Sequence, residues 1–226
     1  MKGVIMAGGM GTRLLPLTLQ RPKPMVEVIG IPVIDFVKDA LVSAGIGEVI
    51  VTTGYRGESL SAHVESWNTE GLKAWVNEEE VPMGTAGSVR LLKDELKDTF
   101  IVGSGDTLAS FDITSLLKEH KESGAAATMA LWEVEDPTRF GIAELDDDGR
   151  IKRFKEKPTL EEAFSNLINA GAYILEPEIF ERMPEGPHSI ERDVYPTLAA
   201  EGLLNGFSFT GWFVDAGTPA SWIEAM

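Results

Sequence analysis

The sequence predicts an α/β protein with a mixed, mostly parallel sheet that is covered by helices. Short β-branched runs alternate with segments of helical apolar spacing from the first residues onward. Glycines and prolines separate these segments, as is typical where strands and helices give way to loops. The length of 226 residues allows one large α/β domain or two small ones.

The first half of the chain alternates strands with helices. The predicted strands cover residues 2–6, 48–53, 72–76 and 100–103. The predicted helices cover residues 32–44, 57–67 and 86–95, and Gly45 is expected to end the first of them.

The second half begins at a predicted helix over residues 113–123, for which Asp112 has the character of an N-cap. A strand over 125–132 follows, and then two short strands between 140 and 155 flank the turn at 146–149. A strand over 168–175 and a helix over 189–201 complete the prediction. We expect one compact domain, residues 1–226, whose character changes at about residue 110, so that it has a first half to about residue 110 and a second half over 111–226.

The composition excludes several classes of function. The net charge is −16, and such an acidic chain lacks the electropositive track that nucleic-acid phosphates need. No apolar stretch approaches the roughly 20 residues that cross a bilayer, and the apolar residues at 3–6 are too few for a signal peptide. The chain has no cysteine, which rules out disulfides and thiol nucleophiles. We therefore expect a cytoplasmic protein that binds neither nucleic acid nor membrane.

A glycine-rich loop, residues 7–13 (AGGMGTR), follows the first predicted strand directly. Glycines let backbone N–H groups approach phosphates or a base edge closely. The loop lacks both the Gly-Lys-Ser/Thr ending of the P-loop and the Gly-x-Gly-x-x-Gly spacing of dinucleotide binders. Taken alone, it fits a structural turn and a ligand-binding loop equally well.

Lys23 is a second cation near this loop, after Arg13. It lies between Pro22 and Pro24, and we expect the two prolines to hold it in an extended, non-helical segment. A solvated lysine needs no such rigidity, whereas a lysine that binds a phosphate gains from a fixed position. The pattern therefore favours a phosphate-binding lysine over an ordinary surface cation.

Residues 8–24, with GGMGTRL (8–14), PLT (16–18) and PKP (22–24), resemble the signature of the sugar-1-phosphate nucleotidyltransferases. The likeness extends over nearly the whole chain. It implies a Rossmann-like fold (the nucleotide-diphospho-sugar transferase fold), in which helices sandwich the sheet. It also implies an enzyme that joins a nucleoside triphosphate to a sugar 1-phosphate and releases pyrophosphate. In such an enzyme the nucleotide-binding half would extend to about residue 110, and the sugar-phosphate-binding half would cover residues 111–226. We expect no C-terminal left-handed β-helix, since the chain stops soon after Asp215. The oligomeric state is left open, and a homodimer is one possibility.

The resemblance implies catalytic roles for Arg13 and Lys23 at the triphosphate. It implies nucleotide binding by Ala7, Gly8, Gly9, Gly11, Thr12, Glu79, Glu80, Gly84, Thr85 and Ser88. A carboxylate at position 79 or 80 would accept from both the N1–H and the exocyclic amine of guanine, whereas uracil and thymine offer one N–H on that edge. This favours GTP, and the loop register decides between the two glutamates.

Two aspartates are candidates for a metal site. Asp106 ends the segment GSGD (103–106) after a predicted strand, where open α/β sheets bind their ligands. This segment and residues 212–219 (WFVDAGTP) are similar to the two metal-binding segments of the family. The resemblance implies that Asp106 and Asp215 hold Mg²⁺, which prefers oxygen ligands and shares them with phosphates and water.

The resemblance also implies a set of sugar-phosphate-binding residues: Gly141, Glu156, Lys157, Asn169 and Gly171. In this reading Lys157 binds the phosphate of the sugar, while Glu156 and Asn169 contact its hydroxyl groups. Without the family pattern, Asn169 is a polar residue inside an apolar strand that needs hydrogen-bond partners.

Residues 189–196 (SIERDVYP) resemble the mannose-1-phosphate guanylyltransferase branch of the family more than the thymidylyl branch. Two positions depart from the family pattern. Leu15 stands where many relatives have an arginine, and Ser104 stands where an asparagine is usual. The first departure removes one potential phosphate contact.

Three alternatives to this guanylyl reading remain. The main one is an enzyme that makes dTDP- or UDP-sugars from glucose 1-phosphate. A regulatory relative that binds nucleotide-sugars without turnover should lack a cation or a metal aspartate, yet Arg13, Lys23, Asp106 and Asp215 are all present. A glycosyltransferase would use an Asp-x-Asp motif, whose candidates at 146–148 lie in a predicted turn.

Overall fold

The computed structural model describes residues 1–9, 11–54 and 57–226. The strands are β1 (Gly3–Met6), β2 (Glu27–Val28), β3 (Ile31–Pro32), β4 (Glu48–Thr53), β5 (Lys73–Glu78), β6 (Phe100–Ser104), β7 (Thr107–Ala109), β8 (Ala127–Glu133), β9 (Gly141–Leu145), β10 (Ile151–Glu156), β11 (Leu167–Leu175), β12 (Leu204–Ser208) and β13 (Phe213–Asp215). The helices are α1 (Val33–Ser43), α2 (Gly57–Glu65), α3 (Gly84–Arg90), α4 (Ile113–Ser123), α5 (Tyr195–Ala200) and α6 (Pro219–Glu224). A π-helical turn covers Ile190–Val194.

The residues group into two compact units. The first unit comprises Met1–Pro82, Ile101–Phe111 and Gly211–Met226, and the second comprises Met83–Phe100 and Asp112–Thr210. Asp215 therefore belongs to the same unit as Lys23 and Asp106, although it is more than 100 residues away from them in the sequence. The residues expected to bind the sugar phosphate all lie in the second unit.

The first unit is built on parallel strands in the order β6-β1-β4-β5. Gly3 at the start of β1 pairs with Val49 of β4 on one side and with Ile101 of β6 on the other. Helix α1 packs against β1, and α2 packs against β5. Because parallel strands end at the same edge of a sheet, the loops after β1 and β6 lie side by side at the edge where such sheets bind ligands.

A short antiparallel ladder joins β7 to β13 in the same unit, and it aligns Thr107 with Asp215. A buried cluster of Val28, Val33, Leu108 and Ala216 lies beside this ladder, and Trp222 of α6 packs against it. The indole N–H of Trp222 also donates to the carbonyl of Glu27 at 2.8 Å. These contacts anchor the last residues of the chain on the first unit.

The second unit has a mixed sheet. Strand β8 pairs antiparallel with β11 and parallel with β12, and β11 continues to the antiparallel hairpin of β9 and β10. Helix α4 begins after Asp112, whose carboxylate accepts from the backbone N–H of Ser115 at 2.9 Å, and it ends at Gly124 in the left-handed conformation. The predicted N-cap at Asp112 is confirmed.

The predicted α/β class with a mixed, mostly parallel sheet is confirmed, but two helices differ from the expectation. The helix expected over 86–95 ends at Arg90, because Leu92 N and Lys93 N then bond to carbonyls three residues back and tighten the chain into turns. The helix expected over 189–201 divides into the π-helical turn and α5. Pro196 lies in the first turn of α5, where a backbone N–H would have no helical partner.

Within the described residues, no helix combines the length and the apolar character needed to cross a bilayer.

Candidate active site

The loop after β1 continues the pairing of that strand. The N–H of Ala7 donates to the carbonyl of Thr52 at 2.8 Å, which fixes the start of the glycine loop against the end of β4. Thr12–Leu14 then form a 3₁₀ turn in which Arg13 is exposed and Leu14 is buried. Residues 7–9 and 11–13 of the predicted loop thus follow the carboxyl end of β1, and Met10 lies outside the described residues.

Gly11 is the tightest point of this loop. Its φ is +63°, and a Cβ atom at this position would lie 2.8 Å from Thr18 Cγ2 and 2.9 Å from Lys23 Cβ. The Thr18 hydroxyl donates to the Gly11 carbonyl at 2.8 Å. Only glycine allows Lys23 to pack directly under the loop.

The Gly11→Ala substitution is expected to lower the free energy of unfolding by about 1–2 kcal/mol, because an alanine pays this amount in the left-handed region. The contact with Lys23 adds to this cost. The measurement is a denaturant titration alongside Gly71→Ala, a matched control with no heavy atom within 4 Å of the new methyl group. Equal stability of the two variants would show that the loop relaxes freely.

Lys23 does not lie in an extended segment, and that prediction is wrong. Pro22 is extended, but Lys23–Met25 form a 3₁₀ turn. Proline is compatible with the first turn of such a helix, because its missing N–H would have no helical partner there. The turn directs the Lys23 ammonium to Asp106, to which it donates a hydrogen bond within an ion pair, and the Lys23 side chain is only 11% exposed.

Asp106 follows the end of β6, which runs beside β1. The N–H of Gly105 donates to the carbonyl of Met6 at 2.9 Å and holds the two strand ends together. The Ser104 hydroxyl donates to Asp106 Oδ1 at 2.6 Å, and the Lys23 ammonium donates to Oδ2. Ser104, the residue that departs from the family pattern, is therefore a direct partner of this carboxylate.

Burial by itself raises the pKa of Asp106, but the neighbouring charge of Lys23 and the hydrogen bonds from Lys23 and Ser104 outweigh it, so the pKa lies below its usual value. The carboxylate is consequently ionised at neutral pH. Its side chain is 24% exposed, which leaves it accessible to a ligand.

Asp215 ends β13 and lies opposite Thr107 in the β7–β13 ladder, one position from Asp106. A Cβ atom on Gly217 would lie 2.7 Å from Asp215 Oδ1, so the chain closes tightly around this carboxylate. The ladder therefore brings the two predicted metal ligands to neighbouring backbone positions of one unit.

These two aspartates fit the ligand preference of Mg²⁺. Within the described residues, no group of three or more histidine, cysteine, aspartate or glutamate side chains is arranged to hold a metal. Mg²⁺ in nucleotide-dependent enzymes usually takes one or two carboxylates and completes its shell with phosphates and water. A pair of carboxylates beside a glycine-rich loop meets that requirement, with Asp106 kept ionised by Lys23.

Glu79 and Glu80 follow β5 but differ in their surroundings. The N–H of Glu79 donates to the carbonyl of Thr53 at 2.8 Å, and its half-buried side chain lies near Gly8, where a Cβ atom would be 3.7 Å from Glu79 Oε1. Glu80 is exposed. Of the two candidates for base recognition, Glu79 is the one that lies beside the glycine loop.

In the second unit, the first turn of α3 packs against the segment before the π-helical turn. Gly84 has a φ of +71°, and a Cβ atom there would collide with the carbonyl oxygen of His188. The Thr85 hydroxyl donates to Glu191 Oε2 at 2.6 Å, and the Ser88 hydroxyl donates to the Gly84 carbonyl at 2.6 Å. The hydroxyls that the sequence analysis assigned to the nucleotide thus have protein partners.

Glu156 and Lys157 lie at the end of β10. Glu156 pairs with Gly141 of β9, and a Cβ atom on Gly141 would lie 2.8 Å from Glu156 Oε2. Lys157 has a φ of +46°, and its N–H donates to the carbonyl of Phe140 at 3.0 Å. Its ammonium lies 3.2 Å from Glu156 Oε1 and is exposed enough to bind an anion, since 52% of the side chain is accessible.

The Glu156 carboxylate is 14% exposed. Burial raises its pKa above the usual value, Lys157 opposes this, and the like charge of Glu191 adds to it. The pair at the end of β10 therefore combines a half-exposed cation with a partly desolvated carboxylate that hydrogen-bond donors would stabilise.

Asn169 and Gly171 lie at an irregularity in β11, where the register with β8 shifts between Asn169 and Tyr173. Asn169 Nδ2 donates to the Tyr173 hydroxyl at 2.8 Å, and the N–H of Gly171 donates to Asn169 Oδ1 at 2.9 Å. The polar residue inside the apolar strand thus has the partners it requires. Glu191, Ser104 and Tyr173 are polar neighbours of the predicted residues that the sequence analysis did not assign to the site.

Comparison with known proteins gives a consistent family. The family model described as nucleotidyl transferase matches residues 2–226. The mannose-1-phosphate guanylyltransferase catalytic subunit beta of Danio rerio is 37% identical over 231 residues, which cover 100% of this chain and 64% of that protein. The protein of the same name from Dictyostelium discoideum is 36% identical with the same coverage. The chain thus spans 64% of the length of each of these two curated relatives.

Solved structures show the same architecture. A putative glucose-1-phosphate thymidylyltransferase from Bacillus anthracis, in complex with a sucrose, superimposes with a TM-score of 0.86 at 27% identity and covers 99% of this chain and 93% of its own. HddC from Yersinia pseudotuberculosis complexed with GMP-PN has a TM-score of 0.83 at 28% identity, with coverage of 99% and 97%.

Proposed function

Because the chain belongs to the nucleotidyl transferase family, we propose that it transfers a nucleotidyl group from a nucleoside triphosphate to a sugar 1-phosphate. The products are a nucleoside diphosphate sugar and pyrophosphate. The observation that carries this proposal is the cluster of Lys23, Asp106 and Ser104 at the ends of two adjacent parallel strands, beside a glycine loop. A cation and an ionised carboxylate at that edge suit a bound triphosphate.

On the nucleotide side, the backbone of the loop approaches the phosphates. The groups involved are Ala7, Gly8, Gly9, Gly11 and Thr12, since glycine allows N–H groups to face an anion closely. Arg13 is exposed and reaches outward to the triphosphate, while Lys23 is fixed by its ion pair. Asp106 and Asp215 would hold Mg²⁺, which supplies charge neutralisation and a template for phosphate oxygens when it is bound.

On the sugar side, Lys157 binds the phosphate and Glu156 accepts hydrogen bonds from ring hydroxyls. Gly141 lets the backbone pass next to Glu156, and Asn169 and Gly171 shape the wall beside it. The raised pKa of Glu156 supports this role, because a partly desolvated carboxylate is stabilised by charge-assisted hydrogen bonds from hydroxyl donors.

No side chain needs to act as a nucleophile in this reaction. An oxygen of the sugar phosphate attacks the α-phosphorus and forms the new P–O bond, while the bond to the pyrophosphate oxygen breaks and pyrophosphate leaves with that electron pair. The residues neutralise the charges of the two substrates and stabilise the charge of the transferring group.

We propose GTP as the nucleotide and mannose 1-phosphate as the sugar. Glu79 supports guanine, because a carboxylate beside the glycine loop accepts from two N–H groups of that base. The two curated relatives carry the mannose-1-phosphate guanylyltransferase name, and HddC was solved with GMP-PN. The name of the Bacillus anthracis protein favours a second candidate, thymidylyl or uridylyl transfer to glucose 1-phosphate. A cytoplasmic location agrees with both candidates, since each uses nucleoside triphosphates.

The experiment that tests this proposal is a matrix of GTP, UTP, dTTP, CTP and ATP against the 1-phosphates of mannose, glucose and N-acetylglucosamine. Pyrophosphate release is the readout. GTP with mannose 1-phosphate is expected to give the highest kcat/KM. A preference for a pyrimidine triphosphate contradicts the guanine assignment, and the release of no pyrophosphate with any pair contradicts enzymatic function.

Glu79→Gln is expected to lower kcat/KM for GTP by about 10- to 100-fold, because it replaces one charge-assisted hydrogen bond of about 1.5–3 kcal/mol. Activity with UTP should fall much less. Glu78→Gln is the matched control, since Glu78 is exposed and binds Ser61 at 3.1 Å. An effect of Glu80→Gln that exceeds the effect at position 79 would move base recognition to Glu80.

A further inference from the structure

Glu191 is a second carboxylate near Glu156, and no role has been assigned to it so far. It belongs to the π-helical turn Ile190–Val194, which packs against both α3 and β10. π-helical turns are rare and are frequently found at functional sites. The turn therefore links the start of α3 with the strand that ends at Glu156 and Lys157.

Two hydroxyls fix the Glu191 carboxylate. Thr85 Oγ1 donates to its Oε2 atom at 2.6 Å, and Ser189 Oγ donates to the same atom at 2.7 Å. The N–H of Ile190 donates to Thr85 Oγ1 at 2.9 Å, so the hydroxyl of Thr85 is itself oriented. Both hydroxyls donate to Oε2, which fixes the orientation of the carboxylate. The Oε1 atom can therefore accept a hydrogen bond from a further donor.

The charge of Glu191 acts on Glu156. It adds to the effect of burial in raising the pKa of Glu156, while Lys157 and Arg192 act in the opposite direction. Two neighbouring carboxylates repel each other, and partial burial strengthens this effect. Hydrogen-bond donors or cations that contact both carboxylates offset the repulsion. The hydroxyl groups of a sugar ring are donors of the required kind.

We infer that Glu191 is a specificity-determining residue of the sugar subsite, where its Oε1 atom accepts a hydrogen bond from a ring hydroxyl of the sugar 1-phosphate next to the one bound by Glu156. This inference rests on the proposed function and names a further contact of the same site. Thr85 and Ser189 orient the carboxylate, so the first turn of α3 is coupled to recognition of the sugar.

Glu191→Gln tests this assignment. Thr85 and Ser189 continue to require an acceptor, so the amide oxygen of Gln takes the place of Oε2 and the amide NH₂ takes the place of Oε1. An acceptor thereby becomes a donor at the sugar. The loss is expected to raise KM for the sugar 1-phosphate by about 10- to 100-fold, as for one charge-assisted hydrogen bond, with little change in KM for the nucleotide.

The decisive measurement compares mannose 1-phosphate with its 2-, 3-, 4- and 6-deoxy analogues. The wild-type protein should reject the analogue that lacks the bound hydroxyl by roughly 10²-fold or more in kcat/KM, because a site built for a hydroxyl is left with an unpaired acceptor. The Glu191→Gln variant should treat that one analogue and the parent sugar almost equally. Rejection of the other analogues should be unchanged.

Asp193→Asn is the matched control. It removes the same charge two residues further on, where the carboxylate accepts from the backbone N–H of Ser189 at 2.8 Å. It should leave the KM values and the rejection of deoxy analogues unchanged. Ser189→Ala removes one of the two hydroxyls that orient Glu191 and should give a smaller loss in the same direction, and thermal unfolding of each variant reports whether it is folded.

The outcomes separate the two claims. If the wild type and Glu191→Gln reject every deoxy analogue to the same extent, the role of Glu191 is overturned. The proposed function still stands in that case, as long as the wild type releases pyrophosphate. A wild type that is inactive with all pairs overturns both. If Glu191→Gln does not fold, unchanged rejection by Ser189→Ala overturns the role.

Discussion

Asp106→Asn is expected to lower kcat for pyrophosphate release on the order of 10²–10³-fold or more, the usual cost of losing one preorganised charge in an active site. Asparagine keeps the size of the side chain and still accepts from Ser104, but it has no charge. The variant should also need a higher Mg²⁺ concentration for half-maximal activity. Initial rates over a Mg²⁺ titration measure both effects.

Asp94→Asn is the control for the Asp106 substitution. Asp94 is exposed and forms an ion pair with Lys97 at 3.0 Å, so the same change of charge is made at a surface residue that the proposed site does not include. Its rate should be within about twofold of the wild type, as for an ordinary surface substitution. Near-normal turnover of a folded Asp106→Asn protein would remove this carboxylate from the mechanism.

Lys23→Ala should lower kcat/KM for the nucleotide on the order of 10²–10³-fold, because it removes a fixed cation from the triphosphate site. It also leaves Asp106 without its ion-pair partner, which raises the pKa of that carboxyl towards the value that burial favours. The activity of the variant should therefore decline at a higher pH than that of the wild type when the solution is acidified. A pH–rate profile measures this shift, and an acid limb that does not move would contradict it.

Arg21→Ala is the control for Lys23→Ala, since Arg21 is two residues away, exposed, and paired with Glu27 at 2.8 Å. It should retain most of the activity. Combining Lys23→Ala with Asp106→Asn should cost less than the sum of the two single losses, because residues that act as one unit are not additive. Full additivity would show that the ion pair has no role in the reaction.

The parts of the fold that local pattern controls could be predicted from the sequence. The buried strand β1 and the glycine loop after it follow from an apolar run and a cluster of glycines, and Asp112 at α4 follows from N-cap chemistry. Lys23 shows the limit of this reasoning. Prolines on both sides exclude a long helix but allow one 3₁₀ turn, so the extended conformation was one of two outcomes that the local sequence permits.

The site is less predictable where partners are distant in the sequence. The bond from Thr85 to Glu191 spans 106 residues, and the ion pair of Lys23 with Asp106 spans 83. No local spacing reports such contacts. The sequence predicts an α-helix where the π-helical turn with Glu191 lies, because the spacing of its apolar residues is compatible with both an α-helix and a π-helix. The family motif identified candidate ligands, but the side chains that orient them become visible only through tertiary contacts.

Exchange of labelled pyrophosphate into GTP tests most directly whether the chain transfers the nucleotidyl group between its two substrates without a nucleophile of its own. Direct transfer predicts that no label enters GTP when the sugar is absent. Label should enter GTP once GDP-mannose is added with Mg²⁺, because pyrophosphate can then attack the guanylyl group of GDP-mannose and release mannose 1-phosphate. Rapid incorporation of label without any sugar would reveal a covalent nucleotidyl-enzyme and would contradict direct transfer.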